Sequence, residues 1–108
     1  MKEIKAIIQT SVLDKVLLAL HAMKGLPGCT VSHVHGYHRS DGGAAEEAIE
    51  SEGRTKLEIV VKDSDEKKVI EIIMNNARTG GPGDGKIFVM NCEEVVAIRT
   101  GKRGAAGV

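Results

Sequence analysis

The chain has 108 residues, 42% of them hydrophobic and 28% charged, the balance of one soluble globular domain with too little chain for two cores. Fifteen basic and fifteen acidic side chains cancel, so no overall field draws the protein to nucleic acid or to an anionic membrane. Tyr37 and Phe88 are its only Tyr, Phe or Trp residues; readers of single strands stack bases on such rings, so nucleic acid is not an expected partner. Cys29 and Cys92 form no Cys-x-x-Cys pair and are expected as free thiols in a reducing cytosol. No charged-then-apolar leader and no long apolar run is read here, so the expected location is cytoplasmic, without membrane insertion.

Residues 2–10 place Ile4, Ala6 and Ile8 on one face of a strand. Over 11–25 the period changes: Leu13, Val16, Leu17, Leu20 and Met23 or Lys24 form one stripe of a helix of about four turns. Ser11 is a candidate cap and Gly25 a candidate stop, with Pro27 preventing resumption. A second strand is predicted over 29–39 and a third over 55–62, the latter rich in β-branched residues. Between them, 40–53 is small and acidic, a loop by composition. A second helix is predicted over 64–80, capped by Ser64 or Asp65, with Val69, Ile70, Ile73, Met74 and Ala77 inward. A glycine-rich stretch precedes a last strand over 86–99, and the tail 100–108 is small, polar and expected to be mobile.

This order implies an α+β, ferredoxin-like βαββαβ domain spanning 1–108: an antiparallel sheet with both helices on one face. The other face carries Val and Ile side chains and needs a cover, for which a closed ring of copies is the economical solution.

The stretch RTGGPGDGKIFV, 78–89, nearly spells the phosphate-binding G-x-x-x-x-G-K-[ST]. Two features exclude that motif. Ile87 stands where a magnesium-holding hydroxyl is needed, and the glycines leave a helix instead of entering one, so the dipole end facing them repels anions. Two readings stand: a turn with Gly80 as helix cap, and an anion site of glycine amides reinforced by Lys86.

The same stretch, with IRTG at 98–101, resembles the C-terminal half of the PII signal-transduction proteins. MKEIKAII, LDKVLLAL, GCTVSHVHGYHR and KLEIVV are similar to that family's earlier segments. The resemblance implies a homotrimer that binds an adenine nucleotide (ATP, ADP or AMP, with magnesium undecided) in clefts between subunits. It implies a non-catalytic regulator acting on a transporter or enzyme through a T-loop, here 39–54. By the same resemblance Gly83, Asp84, Gly85 and Lys86 hold phosphates, with Arg39 beside them. Gly36, Tyr37 and His38 line the turn, and Ile7, Glu58, Val60 and Phe88 form walls around the adenosine. From the neighbouring subunit Gly28, Cys29 and Thr30 meet the adenine edge and Arg99 reaches the phosphates.

The chain departs from the family pattern at several points. Ser40 replaces a glutamine that helps bind magnesium and 2-oxoglutarate, and Arg54 replaces the lysine that pairs with the oxoglutarate carboxylate; both changes argue against 2-oxoglutarate sensing. Ala97 replaces a phosphate-binding arginine, which favours ADP or AMP over ATP. The loop is short and has no tyrosine, so uridylylation is excluded; Ser51 reads as a solvated loop serine. His33 and His35 share a strand face at a spacing able to hold zinc, copper or nickel, against which stands a plain solvent-facing reading. The alternatives are therefore a histidine-dependent metal-binding trimer tied to metal tolerance, and a slow ATPase with Lys86 and Arg99 as its cations.

Overall fold

The computed structural model describes residues 1–39 and 49–108, the side chains of residues 38, 39 and 49–51 excepted. Strand β1 (Lys2–Ile8), helix α1 (Leu13–His21), strands β2 (Thr30–Arg39) and β3 (Ile49–Val61), helix α2 (Glu66–Ala77) and strand β4 (Lys86–Asn91) follow in order. All strand pairs are antiparallel, and the sheet order is β2-β3-β1-β4. This is the α+β ferredoxin-like arrangement that the alternation of hydrophobic periods predicts.

Alternation in β1 buries Ile4, Ala6 and Ile8, and the register sets Ile4 opposite Ile59 and Ala6 opposite Leu57. Val16 and Leu20 of α1, and Val69, Ile73 and Ala77 of α2, cover that face; all are buried. Spacings of four residues keep these side chains on one side of each helix. Burying each of the larger ones stabilises the fold by roughly 1.5–3 kcal/mol. Thr55 is the one described polar residue fully within this core, and its hydroxyl donates to Thr10 Oγ1 at 3.0 Å.

Several expectations are corrected. Neither helix has a side-chain cap: Ser11 lies in a 3-10 turn over Thr10–Val12, and Asp65 occupies the capping position without bonding a backbone amide. Asp63 instead meets the Met1 amine at 2.8 Å, which holds its carboxyl below the ordinary aspartate range. Helix α1 stops at His21 because its last amide bonds tighten, with Met23 N–H reaching only to Leu20 O. Gly25, at φ +78°, turns the chain four residues after that end. The last strand ends at Asn91, not Arg99. Asn91 pairs with Lys2, where β1 begins, and beyond it one more backbone bond follows, from Cys92 N–H to Met1 O at 3.0 Å. Residues after Cys92 form a separate hairpin through the Val96–Arg103 bridge, and Gly104–Gly107 make a 3-10 turn.

The open face also differs from expectation. Rows across it read Lys86, Ile7, Lys56, Ser32; then Phe88, Lys5, Glu58, Thr30; then Met90, Glu3, Val60. Charges alternate with apolar side chains: the Lys5 ammonium lies 5.3 Å from the Phe88 ring centre, and Lys56 pairs with Glu58 at 3.3 Å. The face is not a plain Val and Ile surface.

Candidate functional site

The glycine turn leaves α2 at Ala77 and enters β4 at Lys86. Asp84 organises it. Its carboxylate accepts the N–H groups of Thr79 and Gly80, each at 2.9 Å, and the Thr79 hydroxyl. Those donors, led by the Thr79 hydroxyl, hold the Asp84 carboxyl below the usual carboxylate range. Gly81 N–H reaches Thr79 Oγ1 at 3.3 Å and Asp84 N–H reaches Gly81 O at 3.4 Å. Pro82 has no N–H. Among the described residues, the amides of Gly83 and Gly85 stay outside the turn's own hydrogen bonds. The site therefore has fewer available amides than its glycine content suggests, and Asp84 serves as brace of the turn.

Gly85 is required by close approach. Its φ is +99°, and a Cβ there would fall 1.8 Å from Ile7 O. The turn consequently lies tight on the end of β1, with Lys86 directly opposite Ile7 and exposed. Gly80, at φ +92°, sits past the Arg78 capping position and turns the chain without closing the helix.

Two further side chains converge on the turn. Arg54 of β3 donates from Nη1 to Gly83 O at 2.7 Å and forms an ion pair with Glu52. The Gln9 amide nitrogen lies 3.3 Å from the point where a Gly83 Cβ would sit. Gly36 admits the Arg54 stem, whose Cγ lies 3.7 Å from the missing Gly36 Cβ. Gln9 escapes the sequence reading altogether, and Arg54 appears there only as a departure. The usable signal is alternation: Ile7 and Gln9 share a face, and Arg54 lies one row from Lys56 on that face.

Eleven of the sixteen candidate nucleotide residues lie at the two sheet edges or between them. Ile7, Gly83, Asp84, Gly85, Lys86 and Phe88 lie at the β4 edge. Gly28, Cys29 and Thr30 lie at the β2 edge, with Glu58 and Val60 on β3 between. Three strand spacings of about 4.8 Å separate the edges, roughly 14 Å. One protomer does not bring them together. Each edge has its own hollow on the helix side. One of about 340 Å³ is lined by α2 and by Asp84, Gly85 and Lys86; one of about 320 Å³ is lined by Leu17, Leu20, Gly28 and Cys29. Burial pushes the Cys29 thiol up, so it is an apolar wall and not a thiolate.

Gly36 points to the open face beside Arg54, whereas Tyr37, paired with Ser51, belongs to the opposite face and is exposed. The side chains of His38 and Arg39 lie outside the described residues, as does Ser40. Arg99 is exposed on the hairpin, next to the fully exposed Ile98. His33 and His35 do share a face, and both are exposed; the described residues include no group of three metal-ligating side chains. No helix among them is long and apolar enough to cross a membrane.

The match to known proteins runs along nearly the whole chain. The family model described as nitrogen regulatory protein P-II matches residues 1–102. A nitrogen regulatory protein P-II of Rhizobium meliloti is 45% identical, covering 96% of each chain. One from Azospirillum brasilense is 42% identical over the whole of both. Nitrogen regulatory protein P-II 2 of Methanothermobacter thermautotrophicus is 44% identical, over 100% of this chain and 97% of its own. Such names denote regulators, not enzymes. Among solved structures, a B. subtilis GlnK–ATP complex superposes with a TM-score of 0.88 at 30% identity, over 99% of this chain and 94% of that one. The Gly85 turn and the β2-β3-β1-β4 sheet thus sit in a sequence of matching kind from end to end, and the chain belongs to the nitrogen regulatory protein P-II family.

Proposed function

We propose that the protein is a cytoplasmic homotrimeric signalling protein that binds an adenine nucleotide between protomers and regulates a transporter or enzyme through residues 39–54. The observation that carries this reading is the division of the site. The phosphate-type half, with the available Gly83 and Gly85 amides and Lys86, lies at one sheet edge, and the Gly28–Cys29–Thr30 half lies at the other. A second copy joins them. Such a contact uses two different patches, so it propagates head to tail and closes into a ring. The likeness to a structure titled as an ATP complex supports the ligand class.

In this arrangement Gly83, Gly85 and Lys86 hold the phosphates of the nucleotide while Asp84 keeps the turn in shape. Arg99, with Gly28, Cys29 and Thr30, comes from the adjacent protomer. Backbone donors and cations around a polyanion, next to apolar Ile7, Val60 and Phe88, fit a nucleotide better than a free base or free phosphate. Calorimetry with ATP, ADP and AMP, with and without magnesium, together with light scattering, tests it. Binding with a particle of about 35 kDa, three times the 11.5 kDa chain, supports the reading. A monomer, or no binding of any of the three, refutes it.

A further inference from the structure

The guanidinium of Arg54 is the most enclosed cation beside the glycine turn; its side chain is 16% exposed, against 47% for the Glu52 carboxylate that pairs with it. Both of its terminal nitrogens lie alongside Gly83, at 3.2 and 3.6 Å from the position a Cβ would take, and Nη1 holds Gly83 O. It therefore borders the glycine turn at Gly83. Nη2, however, already faces a carboxylate from its own strand.

Among the described residues, Asp84 and Glu58 nearby have other partners. Asp84 is taken up by Thr79 and Gly80, and Glu58 by Lys56. Glu52 and Arg54 are two residues apart on β3 and point to the same face, so their pairing needs no tertiary closure. Glu52 stands opposite Gly36 in the two-stranded ribbon that leads to residues 40–48.

We propose that Glu52 is a positioning residue that occupies Arg54 as an internal anion, so that the terminal phosphate of a nucleotide on the glycine turn and the Glu52 carboxylate compete for one guanidinium. Phosphate binding then detaches Glu52 from Arg54 at the base of the ribbon. This makes the state of the ribbon depend on how many phosphates the ligand carries. The inference rests on the nucleotide reading above.

The test is a double-mutant cycle by calorimetry with ATP, ADP and adenosine on the trimer: wild type, E52Q, R54Q and E52Q/R54Q. A half-exposed ion pair resists displacement only weakly, so E52Q should tighten ATP by about two- to fivefold. The gain should disappear in the R54Q background, and adenosine, which has no phosphate, should be indifferent to E52Q. Equal thermal midpoints for wild type and E52Q would separate these changes from folding. If wild type binds ATP but E52Q leaves its affinity unchanged, or tightens adenosine equally, the competition is refuted and the nucleotide reading stands. If wild type binds none of the three, both fall.

Discussion

Replacing Gly85 by alanine probes the contact on which the turn's position depends. Real Cβ atoms keep at least 3.0 Å from such an oxygen, and here the separation from Ile7 O would be 1.8 Å, so one backbone must retreat by about 1.2 Å. Ile7 and Lys86 are the terminal pair of the β1–β4 ladder, and a shift of that size breaks one or two of its hydrogen bonds, about 1 kcal/mol each. The φ of +99° adds about 1–2 kcal/mol for a residue with a side chain. The sum is a destabilisation of about 2–4 kcal/mol, read from urea unfolding at equal protomer concentration. Gly80→Ala is the control. It has φ +92° but nothing within 4 Å of its Cβ, so it should lose only the conformational part, about 1–2 kcal/mol. If Gly85→Ala unfolds within 0.5 kcal/mol of Gly80→Ala, the close approach does not exist and the turn is not seated on β1.

Ile73→Ala, at a fully buried position, should lower unfolding stability by about 2–5 kcal/mol; a smaller loss in urea titration would mean that α2 does not pack as described. The Asp84 carboxyl is depressed by its contacts, so its contribution is present above the ordinary aspartate range and fades only as pH falls through the lower folded value. Hydrogen exchange at the Thr79 and Gly80 amides should follow that profile, and Asp84→Asn should abolish it. Lys86→Met removes an exposed cation and should weaken ATP by about 1.5–3 kcal/mol, tenfold or more, without lowering the thermal midpoint. Chains carrying Lys86→Met and Arg99→Ala, each a weak binder alone, should regain ATP binding in calorimetry when assembled together; no recovery would put both residues on one protomer's side of the site.

Elements whose signal lies in their own side chains were readable in the sequence. β1 shows its buried Ile4, Ala6 and Ile8, and α2 shows Val69, Ile73 and Ala77. Features set by a neighbour were not. The first half of β3, from Ile49 to Arg54, has polar composition because it pairs with β2 beyond the helices, where no core imposes an apolar face. The break at Asn91 depends on where β1 starts, which the local sequence of 86–99 does not encode. At the site, the glycines and Lys86 stand out as residue types, but the role of Asp84 as brace and the meeting of Arg54 with Gly83 depend on distances between segments.

The ribbon formed by residues 34–39 and 49–54 is braced at its base, where Arg54 holds Gly83. Six residues of strand reach roughly 20 Å. A tilt of about 10° at that anchorage would carry the Arg39–Ile49 pair about 3.5 Å sideways, so in the proposed signalling the ribbon would serve as a lever arm, turning a small displacement at its base into a larger one at its far end.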